Sequence, residues 1–421
     1  MSEKPRILWC SQSMRIHTGY GITTNDILTR LMTTDKYEIA HLVWEDIIAD
    51  KPKYPCEARY SEKYPVQTFA VIDKPEEIHR PMGRVAAYNP GKFDEVVKYF
   101  KPDIVVQLSD LYMTPWFNEL ETRQKFKLVY YYPVDGIPMP EVWGGYLKPA
   151  DRHITFSGKF GIEATKETIG IEPINIPIGI DFSFWSQKLD QKSITSIRED
   201  IFKIKDPFIY GMVSRNQPRK NIPGFLEAFA IHAKRNTKAR AWLHCAKMDL
   251  GWNLDRLLQE FQCKDRVFIT PDITPNKGVP TDKLRNIYQC FDVHVNTSWG
   301  EGQGCPILES MACGTPQILP NYTVMSDFIK ESEAGLTFKI GYYLVEHISH
   351  VRRAMPDPVN LITIMDKISS LEYKPTLNKM RAKATTYAKT YDWTYIIPQW
   401  TIVLDGLLAD KDKHILRLEE L

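Results

Sequence analysis

The sequence predicts an α/β protein of two domains, each built on a parallel β-sheet. Three observations predict it. Short β-branched runs alternate with helical stretches along the chain: 6–10, 38–44, 103–107, 127–132 and 152–157 in the first half, then 208–214, 239–245, 266–270, 293–297 and 317–319. Strand–helix alternation builds parallel sheets, because each parallel pair needs a crossover between its strands. The 421 residues suit two domains of ordinary size. The charged stretch from Ser186 to Lys205 reads as a linker with a short helix, so the domains are expected at 1–185 and 186–399.

Taken in order, the first strand, Arg6–Cys10, leads through Ser11–Tyr20 to a helical pattern from Ile22 to Met32. Between them lies the Gly-x-Gly turn His17-Thr-Gly-Tyr-Gly21. Open parallel sheets bind ligands at the carboxyl edges of their strands. Gly19 and Gly21 are therefore candidate ligand contacts, although a plain tight turn explains the same residues. Residues 45–90 are rich in Pro, Tyr and charge without clean periodicity. They are expected to form a long excursion and no core element, either lining an acceptor or lying idle on the surface. Phe93–Phe100 reads as a helix. The strand Lys127–Tyr132 ends in Tyr130-Tyr-Tyr-Pro-Val-Asp-Gly136. Its tyrosines alternate faces if extended, so not all three can line a site. Tyr20 and one of the three are candidates to stack on a sugar or a base. Asp135 is a candidate polar contact, with a simple Asp-Gly turn as the alternative.

In the second half, Arg215-Asn-Gln-Pro-Arg-Lys-Asn221 joins a strand to a helix that starts near Ile222. Cations at such a junction add to the helix dipole and make an anion site. Arg215, Lys220 and the additional Arg219 are candidates; a solvated basic turn is the alternative. The densest passage is Asn296-Thr-Ser-Trp-Gly-Glu-Gly-Gln-Gly-Cys-Pro-Ile-Leu-Glu-Ser-Met-Ala-Cys-Gly-Thr-Pro316. It reads as strand, glycine loop and helix start. Pro306 suits the first helical turn, and Gly314 suits the end of a helix over Ile307–Cys313. Glu301 and Glu309 frame the loop, and a carboxylate can accept two hydroxyls of a vicinal diol. The tail reads as helices over roughly 357–370, 378–391 and 393–410, with Trp393 and Trp400 seven apart on one face.

Composition excludes little. Apolar content of 43% and charged content of 25% are those of a globular chain. A formal charge of +2 does not demand nucleic acid or a membrane. Seven scattered cysteines, an odd number, suggest reduced thiols and a cytoplasmic setting. No Cys/His spacing reads as a metal site. The N-terminus lacks the apolar region of a signal peptide, and no apolar run approaches the ~18 residues of a membrane span.

The passage from Glu301 to Glu309 resembles the E-x7-E signature of retaining GT-B glycosyltransferases of the family-4, or glycosyl transferases group 1, type. Gly302, Gly304, Pro306, Met311, Ala312, Gly314 and Pro316 are also in place, with Gln303 where many relatives have an aromatic residue. Pro177, Gly179 and Asp181 match the family's P-x-G-x-D passage, and Arg215 and Lys220 match its Arg and Lys five residues apart. The resemblance implies a GT-B fold: two Rossmann-like domains facing across a cleft, with a last helix at about 400–421 returning to the first. It implies a retaining, metal-independent transferase that uses a nucleotide diphosphate sugar. Arg215 and Lys220 would hold the diphosphate, Glu309 the ribose, and Glu301 the donor sugar, beside backbone N–H groups of Gly302, Gln303, Gly304 and Cys305. Gly19 and Gly21 would lie near the donor phosphate. Many relatives have a His at the end of the strand where Pro133 or Asp135 stands here, so Asp135 becomes a candidate for the donor sugar or the acceptor hydroxyl. The acceptor stays open: a glycan or lipid-linked sugar, a small metabolite, or a hydroxylated base in DNA. A GT-B epimerase, or a sugar-nucleotide-binding protein without activity, is the reading from a different class.

Overall fold

The computed structural model describes residues 3–15, 18–44, 56–58, 61–70, 90–113, 115–274, 277–346 and 350–419. The chain forms two compact units. The first comprises Met1–Val134, Met139–Pro177 and Thr394–Leu421, the second Asp135–Pro138 and Ile178–Trp393.

The first unit contains β1 (Arg6–Ser11), β2 (Glu38–Val43), β3 (Cys56–Ala58), β4 (Ser61–Ala70), β5 (Ile104–Leu108), β6 (Lys127–Tyr132), β7 (Arg152–Thr155) and β8 (Ile174–Asn175). Their order in the sheet is β3-β4-β2-β1-β5-β6-β7-β8. All neighbours are parallel except β3 and β4. Central strands with helices on both faces read as apolar runs, and Ile7–Cys10 and Ile104–Val106 are fully buried.

Two expectations are corrected here. Residues 45–90 do contribute to the sheet: β4 pairs with β2 from Ala40/Gln67 to Val43/Ala70. The run Val66–Ala70 is short and follows Pro65 and a charged stretch, which hides its strand character in the sequence. Residues 45–55, 59–60 and 71–89 lie outside the described residues, and so does their expected part as an acceptor wall. Secondly, Tyr130, Tyr131 and Tyr132 are all fully buried, so none is available to stack on a ligand. With helices on both faces of the sheet, either side of β6 is interior. Tyr130 packs on Phe117, Tyr131 on Phe156 and Trp400, and the Tyr132 hydroxyl donates to Thr165 Oγ1 at 3.4 Å.

In the second unit, β9 (Phe208–Val213), β10 (Ala239–His244), β11 (Val267–Ile269), β12 (Val293–Val295), β13 (Gln317–Pro320) and β14 (Gly335–Phe338) form a wholly parallel sheet ordered β11-β10-β9-β12-β13-β14. The helices Ile222–Arg235 and Pro358–Ile368 bury Phe225, Phe229, Leu361 and Met365 on one face. The helix Cys305–Ala312 buries Ile307, Leu308 and Met311 on the other. An antiparallel hairpin follows the sheet, β15 (Ile340–Val345) with β16 (Arg352–Pro356). The sequence reading has no counterpart to it.

The change of unit falls at Pro177/Ile178, before the expected 185. The segment after it is stitched into the second unit. The Gln303 amide accepts from Ile178 N at 2.6 Å and donates to Ile178 O, and Ile180 N donates to Tyr391 O at 2.8 Å. Ser186–Lys205 holds a full helix, Gln191–Phe202, capped by Asp190. Among the described residues no helix is long and apolar enough to cross a membrane, and Cys10, Cys245, Cys263, Cys290, Cys305 and Cys313 are free thiols.

Three buried histidines set an expected acid sensitivity. Burial lowers His41 to about 3 and both His244 and His294 to about 4, from an ordinary 6.5. In the unfolded chain these rings protonate near 6.5, whereas in the fold they stay neutral. Stability should be complete above pH 6.5, decline as pH falls below it, and stop declining near pH 4 on account of His244 and His294 and near pH 3 on account of His41. Each tenfold difference in proton affinity between the folded and unfolded chain is worth about 1.4 kcal/mol. Denaturant unfolding at pH 7 and pH 5 should therefore differ clearly; equal midpoints would refute the assignment.

Candidate active site

In both sheets the strand order reverses beside the first strand of the unit, between β1 and β5 and between β9 and β12. Loops leaving the carboxyl ends of the two strands at such a point diverge and leave a crevice. In the first unit this point is spanned by Tyr20, whose hydroxyl donates to Asp110 Oδ1 at 3.0 Å. The helix here starts at Gly19, earlier than expected, because Thr18 caps it by accepting from Gly21 N at 3.1 Å. Gly19 and Gly21 thus sit in the first helical turn. The Gly21 N–H is already used, while a Cβ at Gly19 would meet nothing within 4 Å.

In the second unit, the loop after β9 makes a single turn over Pro218–Lys220 and enters the helix at Asn221. The loop after β12 enters its helix at Gly304, whose φ of 77° favours a residue without a Cβ. The two loops are tied together. Thr297 Oγ1 donates to Lys220 O at 3.1 Å and Asn221 O at 3.0 Å, and Trp299 N donates to Arg219 O at 2.8 Å.

This tie brings Lys220 onto Glu301. Oε1 of Glu301 accepts from Lys220 Nζ, from Ser298 Oγ at 2.6 Å and from Asn296 Nδ2 at 3.3 Å, while Oε2 accepts from Arg219 Nη1 at 3.4 Å. Glu301 is only 5% exposed. Burial alone would raise its carboxyl, but the charges of Lys220 and Arg219 outweigh that and hold it well below the usual carboxylate range. The partner moves the same way: burial, then Arg219, push Lys220 down to about 8 despite the carboxylate. The two shifts differ in their main cause, burial for Lys220 and the two cations for Glu301, but both reflect two positive charges gathered on a single buried carboxylate. Such a site is electrostatically poised for an anion.

The other candidates are distributed around it. Glu309, one helical turn past Gly304, is half-buried and accepts from Tyr288 Oη at 2.7 Å. Arg215 is turned to Asp249, with Nε and Nη2 each 3.0 Å from a carboxylate oxygen. Arg219, taken from the sequence as an extra charge, is the second cation on Glu301. The Gln303 side chain is occupied by Ile178, which leaves its backbone to the glycine loop. Asp135 belongs to the second unit and is held by Arg353 at 2.6 Å.

Residues 193–358, which carry this loop pair, match the family described as Glycosyl transferases group 1. The segment that carries the site is thus of the glycosyl transferases group 1 type. The chain's relatives include the alpha-monoglucosyldiacylglycerol synthase of Acholeplasma laidlawii, 24% identical over 210 residues that cover 50% of each protein. The chain thus spans about half the length of the curated relatives it matches. Among solved structures it is similar to the sucrose-phosphate synthase of Thermosynechococcus elongatus, with a TM-score of 0.73 at 16% identity over 97% of this chain and 100% of the other. It is similar also to Anabaena HepE in complex with UDP and glucose, with a TM-score of 0.67 at 16% identity over 96% and 100%. The fold is GT-B, with a parallel sheet in each α/β unit.

Three residues of the site escape a reading of the sequence. Asn296 and Ser298 carried a local signal, since both precede Glu301 in one loop and Ser298 N donates to Asn296 Oδ1 at 2.7 Å. Arg353 carried none, lying 218 residues from Asp135.

Proposed function

We propose that this chain transfers a sugar from a nucleotide diphosphate sugar to an acceptor hydroxyl, with retention of anomeric configuration and without a metal ion. The observation that carries the reading is the excess positive charge at Lys220 and Arg219 around Glu301, at the sheet's reversal point. As the bond from the sugar's anomeric carbon to the diphosphate oxygen breaks, that oxygen gains negative charge. Preorganised cations stabilise this charge selectively in the transition state. The acceptor hydroxyl attacks on the face the leaving group vacates, and its proton passes to the departing phosphate oxygen. Glu309 takes the ribose hydroxyls. Glu301 keeps both cations inserted and reaches the donor sugar through Oε2, whose one bond to Arg219 is long. The HepE complex with UDP and glucose supports a uridine nucleotide as the first donor to try.

A panel of nucleotide sugars and hydroxylated acceptors, read by mass spectrometry, tests the proposal. Nucleoside diphosphate should be released only when an acceptor is present, with the product's anomeric configuration matching the donor's, and chelator should leave the rate unchanged. Conversion of the donor into an epimer without transfer would establish the epimerase reading instead.

The pH profile is a second test. With Lys220 at about 8 in the free protein, kcat/KM should fall as pH rises through about 8, because the ammonium is lost. A bound diphosphate favours the ammonium, so kcat should fall only at higher pH. A kcat/KM that is flat to pH 9.5 would remove Lys220 from the role.

A further inference from the structure

The hairpin of β15 and β16 is locked against both the glycine loop and the segment Asp135–Pro138. Arg353, on β16 and only 6% exposed, directs its guanidinium at Asp135: Nη1 lies 2.6 Å from Oδ1 and donates to the Asp135 carbonyl at 2.8 Å. Nη2 holds Glu346 at 3.2 Å. The backbone around the pair is equally fixed. Ile137 N donates to Tyr322 Oη at 3.0 Å, which donates on to Arg352 O at 2.9 Å, and Ala354 N donates to Trp299 O at 2.9 Å. A Cβ on Gly300 would collide with the Asp135 carbonyl, so this glycine lets the loop of Glu301 close onto Asp135. The Asp135 carboxylate is near enough to favour the charged form of Lys220.

We infer that Arg353 is a positioning residue, clamping Asp135 so that its second carboxylate oxygen accepts a hydroxyl of the donor sugar beside Lys220 and Glu301. The inference rests on the transferase reading above. A carboxylate tied to a guanidinium through one oxygen can still accept a charge-assisted hydrogen bond through the other, which suits orientation of a sugar. Two of the clamp's three contacts go to one residue, its carboxylate and its carbonyl, so rotamer and backbone are set together. Nη1 makes both of these contacts while Nη2 holds Glu346, a span that a lysine with its single nitrogen does not reproduce.

The test uses the full chain with Arg353→Ala, Arg353→Lys, Asp135→Asn and the double variant R353A/D135N, with Glu346→Gln as control. UDP-glucose and UDP are the probes, or the corresponding pair for the donor the panel selects. Asp135→Asn and Arg353→Ala should each lower kcat/KM and affinity for the intact sugar nucleotide by about 10- to 100-fold, the range of a lost charge-assisted hydrogen bond. Affinity for the bare diphosphate should hold. The double variant should be no worse than Asp135→Asn, because the two residues act as one unit. Arg353→Lys, which keeps the charge should the alanine variant fail to fold, should recover part of the loss, and Glu346→Gln, which loosens only the clamp's third contact, should lose less than Arg353→Ala. Multiplying losses in the double variant, or equal loss of bare diphosphate binding, would make Arg353 merely structural and overturn the inference. A wild-type chain that binds both probes but transfers nothing refutes the transferase reading, and the affinity split still decides this one. Binding of neither probe, nor of any other pair, overturns both.

Discussion

Replacing Lys220 by Ala should lower turnover by about 10²–10³-fold while leaving the chain folded. The magnitude is that of one preorganised contact to charge developing in a transition state, ~2.7–4 kcal/mol. The fold should survive because Lys220 is not a net stabiliser. Its depressed pKa means that the fold disfavours its charge relative to water, first through burial and then through Arg219. After the replacement Glu301 keeps Ser298, Asn296 and Arg219. Cations held against their own solvation are a mark of function more than of stability. Arg215→Ala should cost less, since Arg215 is partly exposed and already bidentate to Asp249. Steady-state turnover beside a thermal melt checks both variants. Near-normal rates in both would withdraw the diphosphate clamp altogether.

How much of this was legible from residue types depends on the range of the interaction. β9, β10, β12 and β13 were legible because strand and helix periods are local, and the loop from Glu301 to Glu309 because its glycines and Pro306 act within one turn of chain. The capping of the helix at Thr18 is local too, yet the two glycines that follow it disguised a helical turn as a loop. What escaped is long-range or atypical. β15 carries Tyr342, Tyr343 and Val345 exposed, so it lacks the in–out alternation that marks a strand resting on a core. β4 begins with charged residues and holds Pro65, which mask its apolar second half. The partners of Glu301 could be named as cations, but spacing alone could not say that Arg219 would face it and Arg215 would face Asp249. Position in three dimensions decided that, through Trp299 N on Arg219 O and Thr297 on Lys220 O.

The two tryptophans seven apart in the last helix give the second large effect. On the sequence they share a face; in the structure the chain changes unit between them. Trp393 belongs to the second unit and lies over Gly179, where a Cβ would meet its ring at 2.5 Å. Trp400 is fully buried in the first unit, with its ring 5.2 Å from Trp9 and 4.8 Å from Tyr131, both edge to face. Trp400→Ala removes a large side chain from between two rings that are themselves fully buried, and neighbours so confined cannot collapse into the space. Such truncations cost about 3–5 kcal/mol, a large share of the ~5–15 kcal/mol that holds a typical domain. Units with separate cores need not melt as one. The expected calorimetric result is therefore a fall of roughly 10 °C in the transition of the first unit. The transition that responds to added nucleoside diphosphate should stay in place. Trp393→Ala should do the reverse and shift the nucleotide-responsive transition. An unchanged profile in Trp400→Ala, or the same transition moving in both variants, would show that the last helix is not divided between the two cores at Trp393 and Thr394.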